Sequence, residues 1–372
     1  MSGPTAPPNP AVKVLLFSDL QLGRPYPWAS ADLAHSRRQA ARDVLVELFE
    51  GARQQKVDVI ACAGNLFDRR TVSPKSIRWL ATVFRSAGVP VLVSPGSADY
   101  VGPLGGYTRA DWPDNVVVFE EDHLTPFDVR HGVKIWGAAH TEAHRRRAFF
   151  GPITTDPDEF NLVLFQGTEV SALEREPEVD PAAVFDEEDV TIRGFHHALV
   201  GGCREPHFGR LHTYPGSALP HDFTTRTPGG GVVVTVMTDG SVHRELVETP
   251  SSPLHDLNVD VSGSVTEQDI LAAAARTLSG RAGVVRLHLV GRLPLDVDED
   301  IDLSSIKVPG CAVQPVWETT VDADLKKLAE EQTVRGEFAR ELLGADMSDQ
   351  RRTRLTRIGL RALSSHETGA RR

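Results

Sequence analysis

Short, nearly unbroken apolar runs alternate with stretches of helical period along the first hundred residues. Val12 to Ser18 is such a run, closed by Asp19, and reads as a buried strand. Ser36 to Gly51 carries Ala40, Val44 and Leu48 at helical spacing, and Gly51 reads as its stop. Val57–Cys62 is the next strand, Pro74–Ala87 a helix and Val89–Ser94 a strand. Strands joined through helices predict a parallel sheet with helices on its faces. Sites in such sheets lie beyond the carboxyl ends of the strands, so the loops after Ser18, Cys62 and Ser94 are expected to converge.

Strand patterns dominate from about 115 to 250: Val116–Phe119, Val133–Gly137, Leu162–Phe165, Ala198–Val200 and Val232–Met237. Thr238-Asp239-Gly240-Ser241 is a hairpin signal. This half predicts a second sheet packed on the first. Ser251-Ser252-Pro253 reads as a boundary, followed by a strand (Leu257–Val261), a helix (Glu267–Leu278) and a strand (Val284–Val290). Beyond 322, Leu325, Leu328, Ala329, Phe338 and Leu342 suit a helix, and Gly344 to Asp349 is a break. Gln350–Leu363 is then a helix with Leu355, Ile358, Ala362 and Leu363 on one face, and Gln350 to Arg361 holds five arginines and no acid. The organisation expected is a disordered N-terminus over 1–11, a main domain over 12–250, a cap over 251–320 and a helical tail for partner binding over 321–372.

Composition narrows the function. The 372 residues carry a net charge of -11, against a protein that coats nucleic acid over its whole surface but not against a local basic patch. Cys62, Cys203 and Cys311 are the three cysteines, and their spacing suggests a reducing, cytoplasmic setting rather than a disulfide or zinc framework. Met1 to Pro10 has neither a charged n-region nor an apolar h-region, so no signal peptide is expected, and no apolar run nears the roughly 20 residues that span a bilayer.

The chemistry concentrates in loops. Ser18-Asp19-Leu20-Gln21-Leu22-Gly23, Gly64-Asn65-Leu66-Phe67-Asp68, Gly96-Ser97-Ala98-Asp99, Phe165-Gln166-Gly167 and Gly201-Gly202-Cys203-Arg204 occur in that order. Tyr214-Pro215-Gly216-Ser217 and Pro228-Gly229-Gly230-Gly231 follow, and Val285 to Arg292 lies in the cap. In order and spacing these elements resemble the SbcD-type exonuclease subunits of the calcineurin-like metallophosphoesterases, most closely the YhaO-like branch. The resemblance implies an α/β sandwich of two mixed sheets flanked by helices, with a small βαβ capping domain and a C-terminal helical tail. It also implies two Mn²⁺-like ions that clamp a phosphodiester and activate a water.

Carried over position by position, this chain keeps Asp19 and replaces the other ligands. Gln21 stands for the histidine of the first pair, Asn65 for the bridging aspartate, and Ser97 and Ala98 for the Asn-His pair. Gln166 stands for the lone histidine, and Gly202 and Arg204 for the final pair. Neutral amides are poor substitutes for carboxylate and imidazole, and Arg204 is a permanent cation. The expectation is a pseudo-enzyme with no catalytic residue and no metal. The competing expectation is an active Mn²⁺-dependent nuclease with a site rebuilt from Asp68, Asp99, His140, His144, His196, His197, His207 or His212. A third is a protein-interaction module without DNA contact.

Asp68 and Asp99 are expected to hold loops by accepting backbone N–H groups, and His207 and His212 to lie on a surface hairpin. Arg204 is expected either to pair with Asp19 or Asp99 or to bind a DNA phosphate. Arg69, Arg70 and Arg145–Arg147 are candidate backbone contacts, by default solvated. The resemblance further implies an SbcC/YhaN-like coiled-coil ATPase partner gripped by the tail through Leu325, Leu328, Phe338, Leu342, Leu355 and Ile358. It also implies homodimerisation through helices near Ser36–Phe49 and Pro74–Phe84.

Overall fold

The computed structural model describes residues 9–103, 105–142, 149–171, 181–249, 253–295, 297, 301, 303, 306 and 311–369. The chain divides into two compact units, Met1–Pro253 and Leu254–Arg372. The capping segment and the helical tail, expected as separate domains, therefore share one unit.

The first unit contains two six-stranded mixed sheets. One is built from β1 (Pro10–Phe17), β2 (Val59–Cys62), β3 (Val91–Val93), β4 (Val116–Val118), β11 (Gly230–Met237) and β12 (Val242–Glu248), in the order β12-β11-β1-β2-β3-β4. β11 and β12 run antiparallel on the far side of β1, while β1 to β4 are mutually parallel. The other sheet contains β5 (Thr125–Arg130), β6 (Val133–Gly137), β7 (Phe160–Gln166), β8 (His197–Gly201), β9 (His207–Phe208) and β10 (His212–Tyr214). Its order is β5-β6-β7-β8-β10-β9.

Strand alternation distributes the core. Val14 and Leu16 of β1 point between the sheets onto Ile135, Leu162, Leu164 and Leu199. Leu15 and Phe17 point the other way, onto Val44, Leu45 and Leu48 of α1 (Ala31–Gln54) and Leu80 and Phe84 of α2 (Pro74–Arg85). Both faces of β1 are thus covered, which is why it reads as a continuous apolar run rather than an alternating one. The outer face of the second sheet packs Val163, Phe165, Ala198 and Val200 against Phe149, Phe185 and Phe195. A short helix, α3 (Glu187–Ile192), starts in a capping box between Asp186 and Asp189.

α1 continues past Gly51 to Gln54, contrary to the expected stop. Gly51 serves tertiary packing instead: a Cβ there would lie 3.1 Å from Cγ1 of Val247 on β12. α2 begins as its sequence dictates, with Ser73 accepting from the Ser76 amide and Pro74 in the first turn.

The second unit holds an all-parallel sheet of β13 (Leu254–Asp260), β14 (Gly283–Leu293) and β15 (Cys311–Val321), in that order. α4 (Glu267–Leu278) packs Ile270, Ala274 and Leu278 onto Val285, Leu287 and Leu289. β15 adds a strand beyond those the sequence pattern predicts. α5 (Leu325–Ala329), α6 (Val334–Gly344) and α7 (Asp349–Gly369) complete the unit. Of the expected partner-facing residues, Leu342 is buried, Leu325, Leu328, Phe338 and Leu355 are half-buried, and Ile358 is 57% exposed. α7 turns inward the face of Thr356, Arg357 and Leu360, not the expected stripe. Its arginines are not uniformly exposed: the Arg357 guanidinium donates to the Thr319 hydroxyl at 3.5 Å, and Arg361 to the Leu295 carbonyl at 2.6 Å. Among the described residues, no helix is long and apolar enough to cross a membrane.

Candidate phosphoesterase site

The loops after β1 and β2 are zipped together by backbone bonds: Asp19 N to Gly64 O at 3.1 Å, Gln21 N to Asn65 O at 2.9 Å, and Leu22 N to Leu66 O at 3.0 Å. The Gly96–Asp99 loop, Gln166 at the end of β7 and Gly202 after β8 close on the same place. The fold therefore brings together Asp19, Asn65, Ser97, Ala98, Gln166 and Gly202, as their positions in the sequence imply.

These residues bond chiefly to one another. The Asn65 amide donates to Asp19 Oδ1 at 2.7 Å, while its oxygen accepts from the Ala98 amide at 2.8 Å. The Gln166 oxygen accepts from the Ser97 amide at 2.8 Å. Gly202 N donates to Asp19 Oδ2 at 3.3 Å, and the Ser18 hydroxyl donates to the same oxygen at 3.0 Å. The Gln21 oxygen accepts from the Arg24 guanidinium. Beneath them, Asp99 accepts from the amides of Asn65, Leu66 and Gly96 at 3.0, 2.7 and 2.7 Å, and from the Tyr107 hydroxyl at 2.5 Å. The Asp68 carboxylate, more exposed, accepts from Arg70 N at 2.8 Å.

Backbone conformation at the site is unusual. Asp19, Gln21 and Asn65 have φ of 53°, 46° and 55°, in the left-handed region that Asp and Asn tolerate better than Gln. Gly202 has φ 103°, and a Cβ there would meet Nε2 of Gln166 at 3.1 Å.

Burial pushes the Asp19 carboxyl above the usual carboxylate range, against the hydrogen bonds from Asn65, Ser18 and Gly202 that favour its charge. Burial raises Asp99 in the same way.

A cavity of about 230 Å³ opens beside Asp19, lined among others by Gln21, Arg24, Arg204, His221 and Asp222. Arg204 makes no ion pair with Asp19 or Asp99 among the described residues, because amides already satisfy both carboxylates. Burial would raise Asp222, but bonds from Thr224 and the charges of Arg204 and Arg24 hold it below the usual range. His221 donates from Nε2 to the Asp19 carbonyl at 2.6 Å, with Tyr26 Oη 3.4 Å from its other nitrogen. Burial drives its pKa down to about 3, so it is neutral at physiological pH. Arg37, buried on α1, anchors this segment by donating to the Pro220 carbonyl. Arg24, His221 and Asp222 are not among the residues that the sequence pattern singles out, although Leu219-Pro220-His221-Asp222 begins one residue after the Gly216-Ser217 turn.

The other candidates are dispersed. His140 donates to the Gln166 carbonyl at 2.9 Å, and His196 Nδ1 accepts from Asn161 N at 3.2 Å. His197 opens β8, buried against the Thr213 hydroxyl at 2.8 Å, with its pKa lowered by burial to about 3. His207 and His212 do lie on a hairpin, but His212 is buried and 3.1 Å from Glu187 rather than on the surface. Arg69 is tied to the Tyr100 hydroxyl and the Pro103 carbonyl, and Arg70 is exposed. His144 and Arg145–Arg147 lie outside the described residues.

Residues 12–201 match the family of calcineurin-like phosphoesterases. The chain belongs to that family. No curated protein matches this phosphoesterase chain. Among solved structures it is similar to TT1561 of Thermus thermophilus, with 12% identity, TM-score 0.40, and coverage of 63% of this chain and 98% of that one. A second solved structure is similar at 12% identity and TM-score 0.39, with the same coverage.

Phosphoesterases of this kind imply a pair of divalent metal ions, which would polarise a phosphodiester and activate a water. The donor set does not fit them. Asp19 is the one carboxylate at the ligand positions, and the Asn65, Gln166 and Gln21 oxygens are each taken by an N–H donor. Among the described residues, no group of three or more His, Cys, Asp or Glu side chains gathers as a metal-holding cluster.

Proposed function

We propose that this phosphoesterase-fold chain is a non-catalytic subunit of a DNA-processing complex, in repair or genome defence, working with a coiled-coil ATPase. One observation carries the non-catalytic reading: the ligand positions are filled by residues that satisfy one another. Asn65 turns an N–H toward Asp19 where a bridging carboxylate would share two cations. A metal entering here would have to break that bond and those to Gln166 and Gln21, and would gain neutral amides in exchange.

The test is metal analysis of purified protein with a diester assay. Protein incubated with Mn²⁺ and desalted is expected to retain well under one ion per chain and to leave bis-p-nitrophenyl phosphate intact. Two retained Mn²⁺ equivalents, or Mn²⁺-dependent hydrolysis, would overturn the reading in favour of an active nuclease.

DNA contact rests on Arg204, a guanidinium in the cavity without an ion pair among the described residues. It would bind a phosphate as a charge-assisted hydrogen-bond donor. Arg204→Ala is expected to weaken retention of a short duplex several-fold at low salt. Unchanged retention would favour a protein-interaction module.

ATPase contact through the tail is supported by apolar side chains left exposed on α6 and α7, Leu343 at 40% and Ile358 at 57%. Because Leu342 and Leu360 are buried in the second unit, deleting the tail would also damage its core. Point charges at Leu343 and Ile358 are the cleaner test: they are expected to abolish co-purification, and an intact complex would refute this role.

A further inference from the structure

A second cavity, of about 420 Å³, lies between α2 and the 106–111 segment. Its floor is aliphatic, formed by Val72, Ile77, Ala81 and Ala110. Its walls carry Arg69, Arg78, Arg85 and Arg109, with Asp111 as the one acidic residue among the described residues lining it. Arg78 and Arg85 stand seven residues apart on α2, two helical turns or roughly 10 Å along one face. Arg78, Arg85 and Arg109 are exposed, and none has an ion pair or side-chain hydrogen bond among the described residues. Arg69 is the fixed corner, its guanidinium stacked 4.4 Å from the Tyr100 ring centre.

The chain as a whole carries a net charge of -11, so four guanidinium groups around one apolar trough form a strong local exception. Cations gathered with a single carboxylate repel one another and gain when a polyanion covers them. An aliphatic floor gains when apolar side chains cover it. We infer that this groove docks an acidic amphipathic segment of a partner protein, seating one or two apolar side chains on Ile77 and Ala81 and turning carboxylates to Arg78, Arg85 and Arg109.

Two other occupants fit less well. Single-stranded nucleic acid is held by stacking its bases on aromatic rings, and none of the described residues lining this groove is aromatic. A second copy docked about a two-fold axis would bring the same four arginines against themselves, and like charge across an interface is costly.

A display library of random 16-residue peptides would be selected on the full chain and counter-selected on the Arg78→Glu/Arg85→Glu variant. Enriched peptides are expected to place Asp or Glu on both sides of Leu, Ile, Phe or Met. A synthetic version should bind by fluorescence anisotropy at micromolar concentration. Its binding should weaken at least tenfold in the double variant, weaken with salt, and be unmoved by Arg204→Ala. Circular dichroism should show the double variant as folded as the parent, since both side chains are exposed. Absence of enrichment, or enrichment without acidic residues, overturns the proposal. So does loss of oligonucleotide rather than peptide binding in the double variant, or conversion of a dimer to a monomer on sedimentation.

Discussion

Two arginine-walled cavities in the first unit differ in what their cations meet. Beside Asp19, Arg24 is tied to Gln21, and Arg204 faces the depressed carboxylate of Asp222 among groups that are already bonded. Between α2 and the 106–111 segment, the arginines stand over aliphatic side chains with Asp111 as the one acidic residue among the described lining. The first lies where the loops after the parallel strands converge, and its polar groups are closed on one another in a knot of hydrogen bonds. The second presents exposed guanidinium groups over an apolar floor. Position in the fold is thus a poorer guide to present use than the state of each polar group.

The comparison breaks first at Asp99. If the ligand loops are held by their own bonds, Asp99→Ala leaves three amides and the Tyr107 hydroxyl without their acceptor and should cost about 3–5 kcal/mol in urea denaturation. A loss below about 1 kcal/mol would show that the loops do not depend on this knot.

Acidity is the next lever. His197 and His221 have folded pKa values of about 3, against 6.5 for the free side chain. Unfolded chains therefore bind protons that the fold refuses, and stability falls as pH drops from 6.5 toward 3. At pH 5 the loss should be about 2 kcal/mol per histidine. Asp19 and Asp99 act oppositely: their raised values lose stability as pH climbs from 3.8 through the folded value. Thermal melts from pH 7 to 5 should fall steeply, and His221→Gln should flatten the slope. A flat profile in the parent would remove the buried neutral imidazoles from the account.

Asn65→Asp is a gentler probe. It replaces the donor to Asp19 Oδ1 with a like charge and should cost about 2 kcal/mol at neutral pH. Recovery of the melting temperature on adding Mn²⁺ would reveal a latent metal centre and count against the closed knot. Smallest of all, Arg204→Ala and Arg78→Glu should each shift stability by no more than about 0.5 kcal/mol, because neither guanidinium has an ion pair to lose among the described residues. A larger shift would place that arginine in the structure rather than at its surface.

Much of the fold could be read directly. β1, β2 and β3 announce themselves because both their faces are buried, and α2 because Ser73 and Pro74 mark its start. β5 and β15 hid because each contains a proline and presents half-buried, mixed residues at a sheet edge. α7 misled because its inward face includes Arg357, whose charge suggests solvent but whose guanidinium finds an oxygen inside. At the site, motif order located the positions, while who bonds to whom depends on loops far apart in sequence. Asp99 could be assigned to loop support from its place beside Ala98. His221 could not, because its partner is a backbone carbonyl that no motif names.

The contact between Gly202 and Gln166 bears on reversibility. On the proposed reading, an imidazole could not simply be placed at 202: the backbone there sits at φ 103°, and its first side-chain atom would press on Gln166. Nor does restoring 166 alone help, since Ser97 N is held by the oxygen of Gln166. Each of these residues is part of the surroundings of another, so the effects of changing them will not add. If the chain is non-catalytic as proposed, such interlocking makes the site a ratchet, in which no single substitution would supply a metal-holding set of ligands.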